Sequence, residues 1–223
     1  MRVAVAIPAY DAVHSVGSVV TRTRAVIEDV LVVDDGSIDG TAQAARAAGA
    51  EVHVVPENRG KGAALSVAFA ILFSRGFAGV VTIDADGQHL PEEIPRLLAA
   101  ASGADLVLGT RDHLFAEMGT VRRLSNRLSS RAISWAAGQA ISDVQTGFRL
   151  YTRELIDRTG FPEPGFEAES AVVVRAVRRG LRVTTTPIRL GQADGRSTSH
   201  YRPVLDSLRI AAGVLRARYS SDE

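Results

Sequence analysis

Asp84, Asp86 and Gln88 alternate along TIDADGQH, residues 82–89, directly after the apolar run Gly79–Ile83. That run reads as a buried strand. If the chain stays extended beyond it, residues i and i+2 point the same way, about 6–7 Å apart along the backbone. Two carboxylates brought to about 4 Å repel by about 4 kcal/mol at an effective dielectric of 20. A cation, a shared proton or solvent must offset that repulsion. A hard divalent ion with oxygen ligands, Mg²⁺ or Mn²⁺, suits the residue types best, and such ions usually also hold substrate phosphates. The plainer alternative is a solvated acidic turn. His89, close to Pro91, reads as a packing or surface residue rather than a ligand.

Other polar residues follow other apolar runs. Pro8, Ala9, Tyr10 and Asp11 come after Val3–Ile7; Asp34, Asp35, Gly36 and Ser37 after Val30–Val33; Gly109, Thr110 and Arg111 after Leu106–Leu108. Taken alone, VVDDGS also reads as a turn, with Asp39-Gly40 before Thr41 starting the next helix. Arg59, Arg111, Arg122, Arg123 and Lys61 are candidates to pair with phosphates. Lys61 is the only lysine, which by itself reads as compositional bias. NRGKGAA, residues 58–64, lacks the earlier glycine and the following Ser/Thr of a phosphate loop, and no GxGxxG follows the first strand. GxSxG and HExxH are absent as well. P-loop NTPases, dinucleotide oxidoreductases, serine hydrolases and zinc proteases therefore find no support.

The elements that would position these residues alternate. Short continuous runs at Val3–Ile7, Val30–Val33, Val52–Val55, Val80–Ile83 and Leu106–Leu108 predict strands covered on both faces. Helical spacing predicts helices near 15–25, 41–48, 62–75 and 91–101, the second ending at Gly49 and the last opening on Pro91. Such βαβα order predicts an α/β fold with a mostly parallel central sheet flanked by helices, binding ligands at the carboxyl ends of its strands. The second half is less regular. It predicts a long helix over 119–138, a strand at Phe148–Tyr151, helices at 152–159 and 167–179, and a strand at Leu181–Pro187. After GQADGRSTSHY comes a last helix over 203–218. One domain over 1–223 is expected, with parts 1–112, 113–202 and 203–223.

At 223 residues and 46% hydrophobic, the chain suffices for one α/β domain. A net charge of +1 gives no basic field for nucleic acid. The absence of cysteine removes thiolate metal sites and disulfides. No apolar run reaches the ~18 residues of a membrane span. MRVAVAIPAY reads as a first strand rather than a signal peptide, so a cytoplasmic placement is expected.

Together, IPAYD, VVDDGSIDGT, NRGKGAA, DADGQH, GTR and SDVQTGFRLY occur in the order and spacing of inverting family 2 glycosyltransferases with the GT-A fold. Over residues 2–190 the chain most resembles the dolichol-phosphate mannosyltransferase and bacterial polyprenyl-phosphate glycosyltransferase branch. The resemblance implies metal-dependent transfer of a hexose from a GDP- or UDP-linked donor to an acceptor such as a polyprenyl phosphate. It places Pro8, Tyr10, Val32 and Asp34 at the nucleotide end. Asp84-Ala85-Asp86 becomes the DxD motif, holding Mg²⁺ or Mn²⁺ against the diphosphate with Gln88. Arg111 reaches phosphate, Arg122 and Asn126 meet the acceptor phosphate, and Asp143, Gln145 and Arg149 face the transferred sugar. A hydroxyl acceptor would need a base, Asp143 first and Glu167 or Glu169 second, whereas a lipid phosphate would need none.

The chain also departs from the family. Asp11-Ala12 replaces the usual Asn-Glu, and Gln192 and Thr198 stand where relatives carry an Arg and a Lys, with Arg196 or His200 as substitutes. These departures keep a non-catalytic nucleotide-sugar-binding subunit as the alternative. A nucleotidyltransferase would need a glycine-rich loop after strand one, and a receiver domain would carry its acidic pair after the first strand, not the second. The last helix sets Leu205, Leu208, Ala212 and Leu215 at helical spacing among Arg202, Arg209, Arg216 and Arg218. It suits packing on the sheet with a solvated arginine face, and leaves open peripheral contact with the inner face of an anionic membrane.

Overall fold

The computed structural model describes residues 1–111, 130, 133–141, 143–144, 146–191 and 203–219, with side chains of the last helix described from 209. Seven strands form one sheet: β1 (Val3–Ala9), β2 (Val30–Asp35), β3 (Glu51–Val55), β4 (Gly79–Thr82), β5 (Leu106–Thr110), β6 (Arg149–Thr152) and β7 (Val183–Pro187). Their spatial order is β3-β2-β1-β4-β6-β5-β7. All neighbours are parallel except β6, which runs antiparallel between β4 and β5. That reversal draws the second half of the chain into the first half's sheet. It also brings the loop before β6 to the carboxyl ends of β4 and β5, where the polar residues gather.

The strand pleat divides the core. Ala4, Ala6, Leu31 and Val33 face α3 (Lys61–Ser74) and α6 (Ala168–Arg178), while Val5, Ile7, Val30 and Val32 face the opposite layer. That layer holds α1 (Val16–Arg24), α2 (Thr41–Ala47) and α4 (Ile94–Ala100), the last after a 3₁₀ turn at Pro91–Glu93. In α1 the buried positions are Val16, Val19, Val20 and Thr23, the spacing of a single helical stripe. α5 (Arg153–Thr159) begins at Thr152, whose hydroxyl accepts the Leu155 amide at 3.2 Å. α7 (Pro203–Tyr219) closes the chain against α6.

Several expectations shift. β3 is not covered on both faces: it is the sheet edge, with Glu51, His53 and Val54 exposed. β4 stops at Thr82, one residue before the expected end. β6 starts at Arg149, and β7 at Val183 because the chain first turns at Gly180, where φ is +70°. Of the helix expected over 119–138, residues 130 and 133–137 are helical, Gly138 is a turn at φ +82°, and the others lie outside the described residues.

Candidate active site

The loops after β1 and β2 are laced together through aspartates. Asp11, at φ +46°, donates its amide to Ser37 Oγ at 2.9 Å and accepts the Ile38 amide on Oδ1 at 3.1 Å. Asp39 accepts the amides of Val13 and Thr41, and the Thr41 hydroxyl accepts that of Ala12 at 2.7 Å. Asp34 Oδ1 accepts the Ser37 amide at 2.9 Å. Asp35 reaches the start of α3, taking the amides of Arg59 and Gly60 at 3.0 and 2.7 Å. Among the expected nucleotide-end residues, Pro8, Val32 and Asp34 are buried and Tyr10 is partly exposed at the end of β1. Val32 has no exposed surface and points into the α1/α2 core, so its side chain backs the site without lining it. Ala85 belongs to the same core.

Beyond β4 the extended geometry expected for Asp84 and Asp86 gives way to a turn. Asp86 Oδ1 accepts the Gln88 amide at 2.9 Å, and Gly87 takes φ +76°. The two carboxylates still repel each other, and the cation that meets Asp84 belongs to the chain. Lys61 Nζ lies 2.7 Å from Asp84 Oδ1 and 2.7 Å from Glu169 Oε2. Three local features bring these groups together. Lys61 is the first residue of α3, whose start is packed under the 161–167 segment, with the Ala63 amide donating to Pro164 O at 2.9 Å. Any side chain at Gly62 would collide with the Glu163 carbonyl. Glu169 stands in the first turn of α6.

The electrostatics follow from this packing. Burial alone would raise Asp84, but the Lys61 ammonium holds it down to about 2. Lys61 stays above its ordinary value despite burial, through Asp84 and Glu169. Asp86 is raised, first by burial and then by the charge of Asp84. Gly147 is a space requirement: a methyl there would overlap the Asp84 carboxylate. His89 is no surface residue. It is 3% exposed, stacks on Phe148 with ring centroids 5.6 Å apart, and sets Nδ1 3.8 Å from Asp84 Oδ2. Neither ring nitrogen has a hydrogen-bond partner, and burial drives its pKa down to about 4 against the pull of Asp84.

Arg111 and Asp143 form a closed unit. Arg111 donates Nε and Nη2 to the two Asp143 oxygens, each at 2.8 Å, and its backbone amide to Oδ2 at 2.8 Å. Asp143, at φ +43° and 1% exposed, thus spends both oxygens on one arginine. Arg149 does not face a sugar site. It is fully buried and donates to the carbonyls of Val144, Thr146 and Glu169, fastening the loop before β6 onto α6. Glu167 is buried against Gly165 and Gly213. Gln145, Arg122, Asn126, Gln192, Arg196, Thr198 and His200 lie outside the described residues.

As a metal site, the described residues offer no cluster of three His, Asp or Glu side chains. What they offer is Asp86, whose carboxylate forms no ion pair among the described residues, beside Asp84, whose Oδ1 is taken by Lys61. A hard divalent ion that completes its shell with phosphate oxygens needs only one or two carboxylates, so the donor set fits such an ion. Lys61 and Glu169 are the site residues that sequence reasoning undervalued. The lone lysine could have flagged the first, but nothing local flags the second, which arrives from another element.

The glycosyl transferase family 2 model matches residues 4–160. Undecaprenyl-phosphate mannosyltransferase of Micrococcus luteus is 35% identical over 206 residues, covering 84% of this chain and 83% of that one. Polyprenol monophosphomannose synthase of Mycolicibacterium smegmatis is 36% identical over 205 residues, covering 84% and 76%. In fold the chain is similar to glucosyl-3-phosphoglycerate synthase from Mycobacterium tuberculosis, crystallised with Mn²⁺, UDP and phosphoglyceric acid. The TM-score there is 0.77 at 23% identity, over 100% of this chain and 80% of that one. The seven-stranded sheet has the GT-A architecture of that neighbour. With strand-end motifs, sheet and long matches in agreement, the chain belongs to glycosyl transferase family 2.

Proposed function

We propose that this enzyme transfers a hexose, with inversion, from a GDP- or UDP-linked donor to a polyprenyl phosphate. The observation that carries the reading is the state of the candidate bases. Asp143 is closed on Arg111, Glu169 is paired with Lys61, and Glu167 is buried against Gly165 and Gly213 with one oxygen accepting the Gly165 amide, so none of the three stands open to an acceptor hydroxyl. A hydroxyl acceptor needs such a base, whereas a phosphate acceptor arrives as an anion. The names of the two bacterial relatives point to the same acceptor class.

In the reaction, an acceptor phosphate oxygen attacks the anomeric carbon from the face opposite the donor diphosphate. The bond from that carbon to the diphosphate oxygen breaks, and its electron pair leaves with the nucleoside diphosphate. No proton moves. Arg111, oriented by Asp143, meets the charge that accumulates on the leaving group. Asp86 and Asp84 hold the divalent ion, which when bound supplies further positive charge to the diphosphate. Tyr10, just after β1, and Asp34, at the end of β2, face the nucleoside. Asp143 is on this reading a positioning residue for Arg111.

The test offers GDP- and UDP-hexoses, GDP-mannose first, with Mn²⁺ or Mg²⁺, to undecaprenyl phosphate and to undecaprenol. Transfer to the phosphate alone, lost with EDTA, is the expected result. Equal transfer to the alcohol would overturn the acceptor assignment. Nucleotide-sugar binding without transfer or donor hydrolysis would establish the non-catalytic alternative.

A further inference from the structure

The last turns of α7 are apolar on both sides. Ile210, Val214 and Ala217 are buried, and Gly213 packs so closely that a methyl there would lie 3.0 Å from Glu167 Cβ. The opposite side exposes Ala211, Ala212, Leu215 and Tyr219, with Leu215 47% and Tyr219 69% accessible. At 3.6 residues per turn these four fall within a sector of about 100°. Arg218 borders it on one side, Arg209 and Arg216 on the other. Trp135 stands beside this stripe, 59% exposed. The Arg218 guanidinium lies 4.1 Å over its ring and 5.7 Å from the Tyr219 ring, and donates to the carbonyls of Trp135 and Ala136 at 2.9 and 3.0 Å.

We propose that Trp135, Leu215 and Tyr219, bordered by Arg209, Arg216 and Arg218, form the surface by which the enzyme docks on an anionic lipid bilayer. Indole and phenol rings, each apolar with one polar edge, favour the bilayer–water boundary. Arginines at the margins of an apolar stripe meet lipid phosphates while their stems stay in the apolar layer. From residue 209 on, every charged residue of the helix is an arginine, the complement of an anionic surface. No helix among the described residues is long and apolar enough to cross a membrane, so the contact is with the surface. The inference rests on the lipid-phosphate acceptor proposed above, because such an acceptor presents its phosphate at that boundary.

Trp135 is the only tryptophan in the chain, so its fluorescence reports on this patch alone. The experiment mixes the full chain with vesicles of phosphatidylcholine containing about one third phosphatidylglycerol, or of phosphatidylcholine alone, and reads emission and flotation. With the anionic vesicles a blue shift and co-flotation are expected, both weakened by salt. The double variant Leu215→Ser, Tyr219→Ser should partition at least about tenfold more weakly. It should retain full turnover on a short, water-soluble isoprenyl phosphate, which shows its fold and site to be intact. No shift and no flotation with anionic vesicles would overturn the proposal, as would undiminished binding of the double variant. A concentration-dependent doubling of mass with the same blue shift in the absence of lipid would overturn it in favour of a second copy of the chain. Vesicle binding without transfer to either the short or the long phosphate would instead sink the acceptor assignment.

Discussion

The loops after β2 and β4 both end a buried strand in two aspartates, yet the aspartates do opposite things. After β2, Asp34 and Asp35 accept backbone amides, Asp34 from Ser37 in its own loop and Asp35 from Arg59 and Gly60 just ahead of α3, so their charges are met by the chain's own donors. After β4, Asp84 is met by a buried ammonium and Asp86 by a single amide, with its pKa raised by burial and by Asp84. The first loop satisfies itself. The second holds negative charge that the fold alone does not neutralise, and such unspent charge is where a cation finds a partner.

Removing the ammonium should produce the largest change. Lys61→Met leaves Asp84 and Glu169 facing each other without their cation. Breaking a fully buried pair from one side costs about 3–5 kcal/mol; with Lys61 and Asp84 partly exposed and Arg149 still 3.7 Å from Glu169, the loss should sit at the low end of that range. Urea unfolding should show that loss as a lower midpoint at unchanged slope. Adding Glu169→Gln removes one of the stranded charges and should restore part of it. If Lys61→Met cost no more than the loss of Asp35, the distinction between the two loops would collapse.

Asp86→Asn should separate function from stability. Asparagine keeps an oxygen for the Gln88 amide but loses the charge proposed to hold a cation against a diphosphate. Turnover should fall about 10²–10³-fold, the scale seen when one electrostatic contact to a leaving group is removed. Stability at neutral pH should hold or rise, since a raised carboxylate pKa means the ionised form is disfavoured in the folded chain. Full activity of this variant would remove Asp86 from the site.

Much of this was legible in the sequence because it is local. The strand runs, the helix stripes and the strand-end motifs are written within a few residues of one another, and they predict the α/β fold with its mostly parallel sheet. What was not legible depends on distant parts of the chain. β6 runs antiparallel because it inserts between β4 and β5, and no pattern inside RLYT announces that. Glu169 reaches Lys61 only because the 161–167 segment is laid over glycines 60 and 62. Asp143 looks like a free base until Arg111 is seen to occupy both of its oxygens. Asp84 and Asp86 do converge, but through a turn rather than an extended strand.

His89 gives the β4 loop a pH signature of its own. Its folded pKa, about 4, lies below the ordinary 6.5, so the unfolded chain binds the extra proton between those values. His89 should therefore add stability to the metal-free protein from pH 4 to pH 6.5, by about 3 kcal/mol at roughly 1.4 kcal/mol per pH unit, against an opposite contribution from the raised Asp86 carboxyl above pH 3.8. Asp84, held at about 2 against 3.8, adds a separate loss as pH falls through that lower window. His89→Phe keeps a ring against Phe148 and should flatten the upper slope. An unchanged slope would mean that another group titrates there.

The smallest effect is expected where the comparison is sharpest. Asp35→Ala strips two amides of their acceptor at the start of α3, but Arg59 is exposed and Gly60 half-buried, so water can replace part of what is lost. The cost should be about 1–2 kcal/mol, as for other residues that cap a helix start. Asp35→Asn, which keeps one oxygen, should cost less. Turnover per folded molecule should stay close to the parent's, because both Asp35 oxygens are spent on those two amides. A large loss of turnover with a small loss of stability would say something else: that the amides of Arg59 and Gly60, two and one residues ahead of Lys61, fix where its ammonium meets Asp84. The self-satisfied loop would then be the mould in which the charged one is set.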